Sequence, residues 1–183
     1  MSMRLLFSKA EIEARVAELG RRIRLDYEKV LPPGEALLAV GVLNGAFIFM
    51  ADLVRALGDL PVEVDFVRLS SYQNSDVSSA KVVMTKSLEK EIAGRHVLVV
   101  EDIADCGLTL AWLLDFLGRR RPASLKVAVA VDKKSRREVS VPLDYVALEA
   151  DGFLVGYGLD YAEKYRQLPD IYELETRPGS VSP

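Results

Sequence analysis

The sequence predicts an α/β domain built on a mostly parallel β-sheet, with helices covering both faces of the sheet. Segments with strand patterns alternate with segments of helical spacing through the middle of the chain, which is typical of βα units. The predicted strands are continuous apolar runs, as expected of strands buried on both faces. In folds of this kind, ligands bind just beyond the carboxyl ends of the strands.

The first part of the chain predicts a helix, a buried strand and a second helix. Ser8 and Glu11 have capping-box spacing. Apolar residues at near-helical spacing follow up to Val30, and Pro32-Pro33-Gly34 ends the helix. The next segments predict a strand, a turn and a helix, at residues 36–43, 44–45 and 46–57.

The alternation of Val62, Val64 and Phe66 with acidic residues predicts another strand. The polar segment from Ser70 to Lys81 has no periodicity and predicts a long mobile loop, which in compact domains is usually functional. The remaining predicted elements are a helix at 108–118 and strands at 82–85, 97–100, 125–131, 145–148 and 153–156. We expect one domain over residues 1–176 and a disordered tail over residues 177–183.

Composition argues against several classes of protein. The chain has 183 residues, a formal net charge of −3 and a pI of about 5.3, so its overall charge does not attract nucleic acid. Its most apolar region, residues 36–51, is shorter than the roughly 20 residues of a membrane-spanning helix. The single cysteine, Cys106, excludes an internal disulfide, and no signal-peptide pattern is visible. We therefore expect a cytoplasmic protein with no membrane or nucleic-acid partner.

The segment LVVEDIADCGLTL, residues 98–110, combines three acids with a small-residue turn. A glycine-containing turn before a helix exposes backbone N–H groups that can bind phosphate, although this one lacks the lysine and the spacing of a nucleoside-triphosphate loop. The acids would repel a phosphate unless they face hydroxyl groups or Mg²⁺. Adjacent Glu101 and Asp102 are expected to leave the strand on opposite faces. A phosphorylated sugar with vicinal hydroxyl groups satisfies both parts of the segment.

The same segment resembles the phosphoribosyl pyrophosphate signature of the type I phosphoribosyltransferases. Four further segments resemble the hypoxanthine and hypoxanthine-guanine phosphoribosyltransferases and occur in the right order: VGVLNGAFIFMADL, VEVDFVRLSSY, LKVAVAVDKKSRREV and FLVGYGLDYAEKYRQLP. The resemblance implies a twisted, mostly parallel sheet flanked by helices, with a small hood. It also implies a purine salvage enzyme that uses Mg²⁺ and transfers 5-phosphoribosyl from phosphoribosyl pyrophosphate to N9 of hypoxanthine or guanine, giving IMP or GMP and pyrophosphate.

The resemblance further implies a role for each site residue. Asp105 would act at the purine N7 as general acid/base, and Ser71 and Tyr72 would belong to a flexible catalytic loop. Ribose and phosphate would be bound by Glu101, Asp102, Asp105, Cys106, Gly107, Leu108 and Thr109. The purine would be bound by Lys133, Phe153, Leu154 and Asp160, pyrophosphate by Leu43, Asn44, Gly45 and Arg166, and the metal by Glu101, Asp102 and Asp160. A homodimer or homotetramer is implied as well.

Two segments depart from the family's pattern. Many members have Leu-Lys-Gly at the first turn, where this chain has Leu43-Asn44-Gly45. The charge of that lysine towards pyrophosphate is therefore missing, whereas the backbone of the turn, often with a non-proline cis peptide, can keep its role. The segment 149–153 is shorter than the common form by about one residue, in keeping with the variability of connections.

Three other interpretations are weighed against this one. Cys106 could be a nucleophile with His96 as its base, but a strand of about 3.3 Å per residue separates them. A nucleic-acid-binding regulator with the same fold would need a basic surface, whereas the clusters Arg119–Arg121 and Lys133–Arg137 are short and typical of solvated faces. A sister enzyme that prefers xanthine stays open, because the groups that discriminate between these bases are mostly backbone.

Overall fold

The computed structural model describes residues 2–72 and 81–175. Residues 73–80 of the predicted mobile loop and the whole predicted tail, residues 177–183, lie outside this range. In chain order the elements are β1 (Ser2–Phe7), α1 (Lys9–Tyr27), β2 (Leu37–Leu43), α2 (Phe47–Ala56), β3 (Val62–Tyr72), β4 (Lys81–Lys86), β5 (His96–Ala104), α3 (Leu108–Gly118), β6 (Ser124–Asp132), a short 3₁₀ helix (Lys134–Arg136), β7 (Tyr145–Glu149), β8 (Leu154–Val155) and β9 (Ile171–Glu175).

A six-stranded sheet forms the centre of the fold. Its strand order is β4-β3-β2-β5-β6-β7, and every neighbouring pair is parallel except β3 and β4. The predicted α/β class with a mostly parallel sheet is therefore confirmed. Because the parallel strands run in the same direction, the turns after β2 and β5 lie at the same edge of the sheet, where ligands bind in such folds.

Alternate residues of each central strand pack into two separate apolar layers. Leu37, Ala39, Leu98 and Val100 join one cluster with the buried faces of α1 and α2. Their neighbours in the same strands join a second cluster with the apolar face of α3, formed by Leu38, Val40, Val97, Val99, Leu110, Leu113 and Leu117. Burial on both faces explains why β2 and β5 are continuous apolar runs rather than alternating ones.

The N-terminal helix begins as its sequence predicts. The Ser8 hydroxyl accepts a hydrogen bond from the Glu11 backbone N–H, and the Ser8 backbone N–H donates to the Glu11 carboxylate at 2.8 Å. This reciprocal arrangement satisfies two backbone donors that would otherwise have no partner in the first turn. The helix ends at Tyr27, three residues before the predicted end, and Val30 is exposed.

A second, three-stranded antiparallel sheet has the order β1-β9-β8. The sequence patterns predict neither β1 nor β9, and the predicted strand at 153–156 is two residues longer than β8. The pairing of Ser2 with Glu175 joins opposite ends of the described chain, so no local sequence pattern indicates it. We identify this smaller sheet with the hood of the predicted fold.

Two strands extend further than predicted towards the ligand-binding edge. β5 continues through Ala104, and its pairing with β6 reaches Asp132. Glu101 and Asp102 therefore lie within the strand and not beyond its end. β3 continues through Tyr72 and pairs with β4 from Lys81, so both ends of the predicted mobile loop are strand. In residues 2–72 and 81–175, no helix is long and apolar enough to cross a membrane.

Candidate active site

A cavity of about 350 Å³ opens at the carboxyl ends of β2 and β5. It is bounded by the turn after β2, the last residues of β5, the turn before α3 and the segment that follows β8. The predicted site residues that line it are Leu43, Asn44, Gly45, Glu101, Asp102, Asp105, Cys106, Gly107, Thr109, Asp160 and Arg166. The structure thus brings together residues that are more than 120 positions apart.

The turn from Asp105 to Thr109, which we call the phosphate turn, leads into α3. Gly107 is the residue before the helix and has φ +90°, a backbone conformation that residues with a side chain rarely adopt. A Cβ atom at this position would also overlap the Val139 carbonyl oxygen. No side chain caps the first turn of α3, so its backbone N–H groups are available to an anion.

The turn after β2 lies directly against the acids of β5. The Leu43–Asn44 peptide bond is cis. A Cβ atom on Gly45 would overlap the Asp102 carboxylate, so only glycine fits between the turn and that side chain without displacing one of them. The turn thus keeps a closely packed backbone although Asn44 stands where many family members have a lysine.

Glu101, which is buried, and Asp102, which is half-buried, form a pair of neighbouring carboxyl groups. Both line the cavity, as does every residue from 103 to 107, so the expectation that their side chains leave the strand on opposite faces stays a prediction. The Asp102 backbone N–H donates to Glu101 Oε1 at 3.1 Å, and the Ile103 N–H donates to Asp102 Oδ1 at 2.7 Å. Burial and the neighbouring Asp102 charge raise the pKa of Glu101 well above its usual value.

This raised pKa has a consequence for stability. A carboxyl group whose pKa is higher in the folded state stabilises the fold at low pH, and that contribution is lost as the pH rises through the folded pKa. In Glu101→Gln this position cannot ionise. We therefore expect its melting temperature at about pH 7.5 to exceed that of the wild type, by about 2–4 °C for each kcal/mol by which the substitution stabilises the fold. The difference should shrink at about pH 4. Thermal denaturation without ligand measures it.

The exposed Glu35→Gln is the control for this substitution, and its melting temperature should follow that of the wild type at both pH values. If the melting temperature of Glu101→Gln at about pH 7.5 is equal to or below that of the wild type, the ionised Glu101 carboxylate does not destabilise the folded protein.

Asp105 is the acid of the phosphate turn, and two cations face it. Lys133 Nζ lies 3.8 Å and an Arg136 guanidinium nitrogen 3.3 Å from its Oδ2. Its other oxygen, Oδ1, is buried and has no hydrogen-bond partner among the described residues. A buried acceptor without a partner is costly, and Asp105 itself lines the cavity.

Of the predicted purine-binding residues, Asp160 lines the cavity, whereas Lys133, Phe153 and Leu154 lie outside its lining. The Lys133 side chain is 7% exposed, and burial lowers the pKa of its ammonium group, although the Asp105 charge opposes the shift. Phe153 is 44% exposed and meets Tyr161 edge to face with ring centres 5.5 Å apart. Leu154 is buried at the start of β8. The Phe153 ring is therefore partly accessible to solvent.

Asp160 and Arg166 pair with each other at 2.9 Å, and Arg166 also donates to the Gly158 carbonyl at 2.9 Å. Across residues 2–72 and 81–175, no three or more His, Cys, Asp and Glu side chains converge as a metal site. Glu101, Asp102 and Asp160 line the same cavity but do not form a complete ligand set by themselves. A cation held there would need oxygen atoms from a ligand or from water.

Comparison with known proteins assigns the family. The family model described as "Phosphoribosyl transferase domain" matches residues 7–162. The chain belongs to the phosphoribosyltransferase family. It is 44% identical over 169 residues to a hypoxanthine-guanine phosphoribosyltransferase of Bacillus subtilis, covering 92% of this chain and 91% of that protein. It is 47% identical over 165 residues to a hypoxanthine phosphoribosyltransferase of Haemophilus influenzae, covering 89% of this chain and 90% of that protein.

Solved structures give the same assignment. A mutant hypoxanthine phosphoribosyltransferase from Trypanosoma cruzi, solved as a ternary complex with its substrates, superposes with a TM-score of 0.88 at 44% identity. The match covers 96% of this chain and 95% of that one. The type I phosphoribosyltransferase fold predicted from the sequence is thereby confirmed.

Some residues of this phosphoribosyltransferase site were missed or misjudged from the sequence. The short basic cluster Lys133–Arg137 predicts a solvated face, but Lys133 is buried and the Arg137 side chain is only 18% exposed. Arg137 pairs with Asp132, the last residue of β6. An acid that ends a buried strand, followed five residues later by an arginine, is the one sequence signal that could have indicated this pair.

The remaining predicted residues are placed as follows. His96 begins β5 and contacts Ser124 at 2.7 Å, whereas Cys106 follows the other end of that strand, so a cysteine–histidine pair cannot form. Ser71 and Tyr72 end β3, and their predicted part in a catalytic loop stays a prediction. Leu108 begins α3 and is exposed, outside the cavity lining.

Proposed function

We propose that the protein transfers 5-phosphoribosyl from phosphoribosyl pyrophosphate to N9 of hypoxanthine or guanine, in purine salvage. The observation that carries this proposal is the Asp105 carboxyl group. One of its oxygens has no hydrogen-bond partner among the described residues, and Asp105 lines a cavity together with other residues of the phosphate turn and the Glu101–Asp102 pair. The names of the relatives support the same reaction, and so does a structural neighbour solved with its substrates.

Each part of phosphoribosyl pyrophosphate has a chemically matched part of the cavity. The N–H groups of the phosphate turn and the N-terminus of α3 suit the 5-phosphate. Glu101 and Asp102 can accept hydrogen bonds from the two ribose hydroxyl groups. Leu43-Asn44-Gly45 offers backbone groups to the pyrophosphate, and Arg166 at the same cavity offers the positive charge that Asn44 lacks.

The reaction breaks the bond between the anomeric carbon and pyrophosphate and forms the bond to purine N9. Positive charge develops on the ribose as the bond breaks, as in other glycosyl transfers, and the two carboxyl groups of β5 stabilise it. Asp105 removes or shares the proton at the purine N7, which makes the base a better nucleophile. The products are IMP or GMP and pyrophosphate.

Base selection falls to residues beside the cavity. The Lys133 ammonium group carries only donors, so it favours the O6 acceptor of an oxopurine over the amino group of adenine. The exposed ring of Phe153 can stack on the base, and the Leu154 backbone can bond to its edge. The groups that discriminate between hypoxanthine, guanine and xanthine are mostly backbone, so the preference among these three bases is determined by an activity assay.

The carboxylates of the cavity fit a hard divalent cation such as Mg²⁺, which prefers oxygen ligands and keeps several waters. Burial and, after it, the neighbouring Asp102 charge raise the pKa of Glu101, and a bound cation would favour the ionised form of both acids. We propose that Glu101 and Asp102 hold one Mg²⁺ through the ribose hydroxyls and that Asp160 holds a second. A Mg²⁺ ion held by these residues would supply positive charge to the departing pyrophosphate. We also propose a homodimer or homotetramer in the cytoplasm.

A steady-state assay with phosphoribosyl pyrophosphate, Mg²⁺ and one base at a time tests this function. We expect turnover with hypoxanthine or guanine and none with adenine. Predominant turnover of xanthine would reassign the base, and absence of turnover with all three 6-oxopurines would refute the proposal. In that last case, a gel-shift signal with RNA or DNA would favour a regulatory protein of the same fold.

A further inference from the structure

Arg137 makes three contacts behind the phosphate turn. Its Nε donates to the Asp105 carbonyl oxygen at 2.9 Å, and its Nη2 donates to the Ala104 carbonyl oxygen at 3.0 Å. The same Nη2 pairs with the carboxylate of Asp132. The guanidinium group therefore spans the end of β6 and the backbone of the turn, and its charge is compensated by a nearly buried acid.

The chain after Arg137 continues this support. The Cys106 carbonyl oxygen accepts hydrogen bonds from the Glu138 N–H at 2.9 Å and the Val139 N–H at 3.0 Å. The Ala104 carbonyl oxygen also accepts from the Lys133 N–H at 3.0 Å. Three successive carbonyl groups, at residues 104, 105 and 106, are thus bound by the segment 133–139, which we call the backing segment.

This use of the carbonyl groups decides which groups the turn can offer to a ligand. Each peptide unit has a donor and an acceptor on opposite sides. With the carbonyl groups of residues 104–106 bound to the backing segment, the N–H groups of residues 105–107, which share their peptide units, are directed away from it. Among the hydrogen bonds between described residues, none uses the N–H groups of residues 106–109. Binding an anion requires this set of donors to be held in one orientation.

We propose that Arg137 is a positioning residue for the 5-phosphate, which sets the affinity for phosphoribosyl pyrophosphate without touching it. This inference rests on the proposed function and goes beyond it, because Arg137 does not line the cavity. Two of the three carbonyl groups accept hydrogen bonds from its side chain. Among the described residues the Asp105 carbonyl has no other partner, whereas those of Ala104 and Cys106 also bind backbone N–H groups. Loss of Arg137 should therefore let the Asp105 peptide rotate while the rest of the fold stays in place.

Arginine suits this position better than lysine. Its planar fork presents several donors in fixed directions, and here Nε and Nη2 bind two adjacent carbonyl groups and a carboxylate. A lysine would keep the charge opposite Asp132, but its single nitrogen could not reproduce both carbonyl contacts in this geometry. The substitution Arg137→Lys therefore separates the role in charge compensation from the role in orienting the turn.

The test compares Arg137→Met and Arg137→Lys with the wild-type protein. For Arg137→Met we expect the KM for phosphoribosyl pyrophosphate to rise by about 10- to 100-fold, because misplacement of a binding group has effects of this size. The KM for hypoxanthine should change by less than about threefold. Arg137→Lys should give the same split with a smaller rise. Titration calorimetry with ribose 5-phosphate should show a parallel loss of affinity without turnover.

Arg119→Met is the matched control, since Arg119 is 77% exposed on α3 and pairs with Asp115 at 2.7 Å. Both KM values should be unchanged in it. An unchanged KM for phosphoribosyl pyrophosphate in Arg137→Met would overturn the inference, and so would equal losses for both substrates. If Arg137→Met does not fold, the inference is tested in Arg137→Lys, by whether the KM for phosphoribosyl pyrophosphate rises more than the KM for hypoxanthine. A wild type without transferase activity would refute the proposed function, and ribose 5-phosphate binding would then test the positioning role alone.

Discussion

Asp105→Asn is expected to lower kcat by about 10²- to 10⁴-fold, the usual contribution of a positioned acid or base. The amide has nearly the shape of the carboxyl group but cannot take a proton from the purine. It also loses the charge that faces Lys133 and Arg136 at 3.8 and 3.3 Å. The Asp105 carbonyl, which Arg137 binds, stays in place. Phosphoribosyl pyrophosphate should therefore bind with nearly its wild-type KM.

Single-turnover kinetics with saturating substrates measure the chemical step in this variant and separate it from product release. Asp115→Asn, an exposed position on the neighbouring helix α3, is the control and should turn over at the wild-type rate. A near-normal kcat in Asp105→Asn would remove Asp105 from proton transfer. A large rise in KM with unchanged kcat would assign it to substrate binding instead.

The central sheet could be predicted because its signals are local. The capping box at Ser8, the apolar runs of β2 and β5, and the glycine turns each reside in a few consecutive residues. The smaller sheet could not, because β1 and β9 pair across almost the whole described chain. A strand that is mostly exposed, as β1 is, carries no buried face to mark it in the sequence.

The candidate site shows the same division. The phosphate turn could be predicted because a glycine-containing turn between a strand and a helix is a local sequence pattern typical of anion sites. The end of β5 was not, because its acids interrupt the apolar run that marks a strand, although they remain paired with β6 up to Ala104. Arg137 was hidden for a different reason. Composition shows that a segment is basic, but only the fold shows which of its side chains is buried.

Gly45→Ala is expected to reduce kcat/KM by about 100-fold or more, because a single methyl group must displace either the turn or a site carboxylate. Its Cβ would occupy the position of the Asp102 carboxylate. Overpacking of this kind also costs about 1–3 kcal/mol of unfolding free energy. Steady-state kinetics and chemical denaturation measure the two effects.

Gly118→Ala is the matched control for Gly45→Ala, because a Cβ at the end of α3 meets nothing within 4 Å. It should leave activity unchanged and stabilise the helix by up to about 1 kcal/mol. The collision itself is tested in an Asp102→Ala background. There Gly45→Ala should lose most of its cost in stability, because contacting residues are not additive, while activity stays low. An equal cost in both backgrounds would mean that the turn, and not its contact with Asp102, requires glycine.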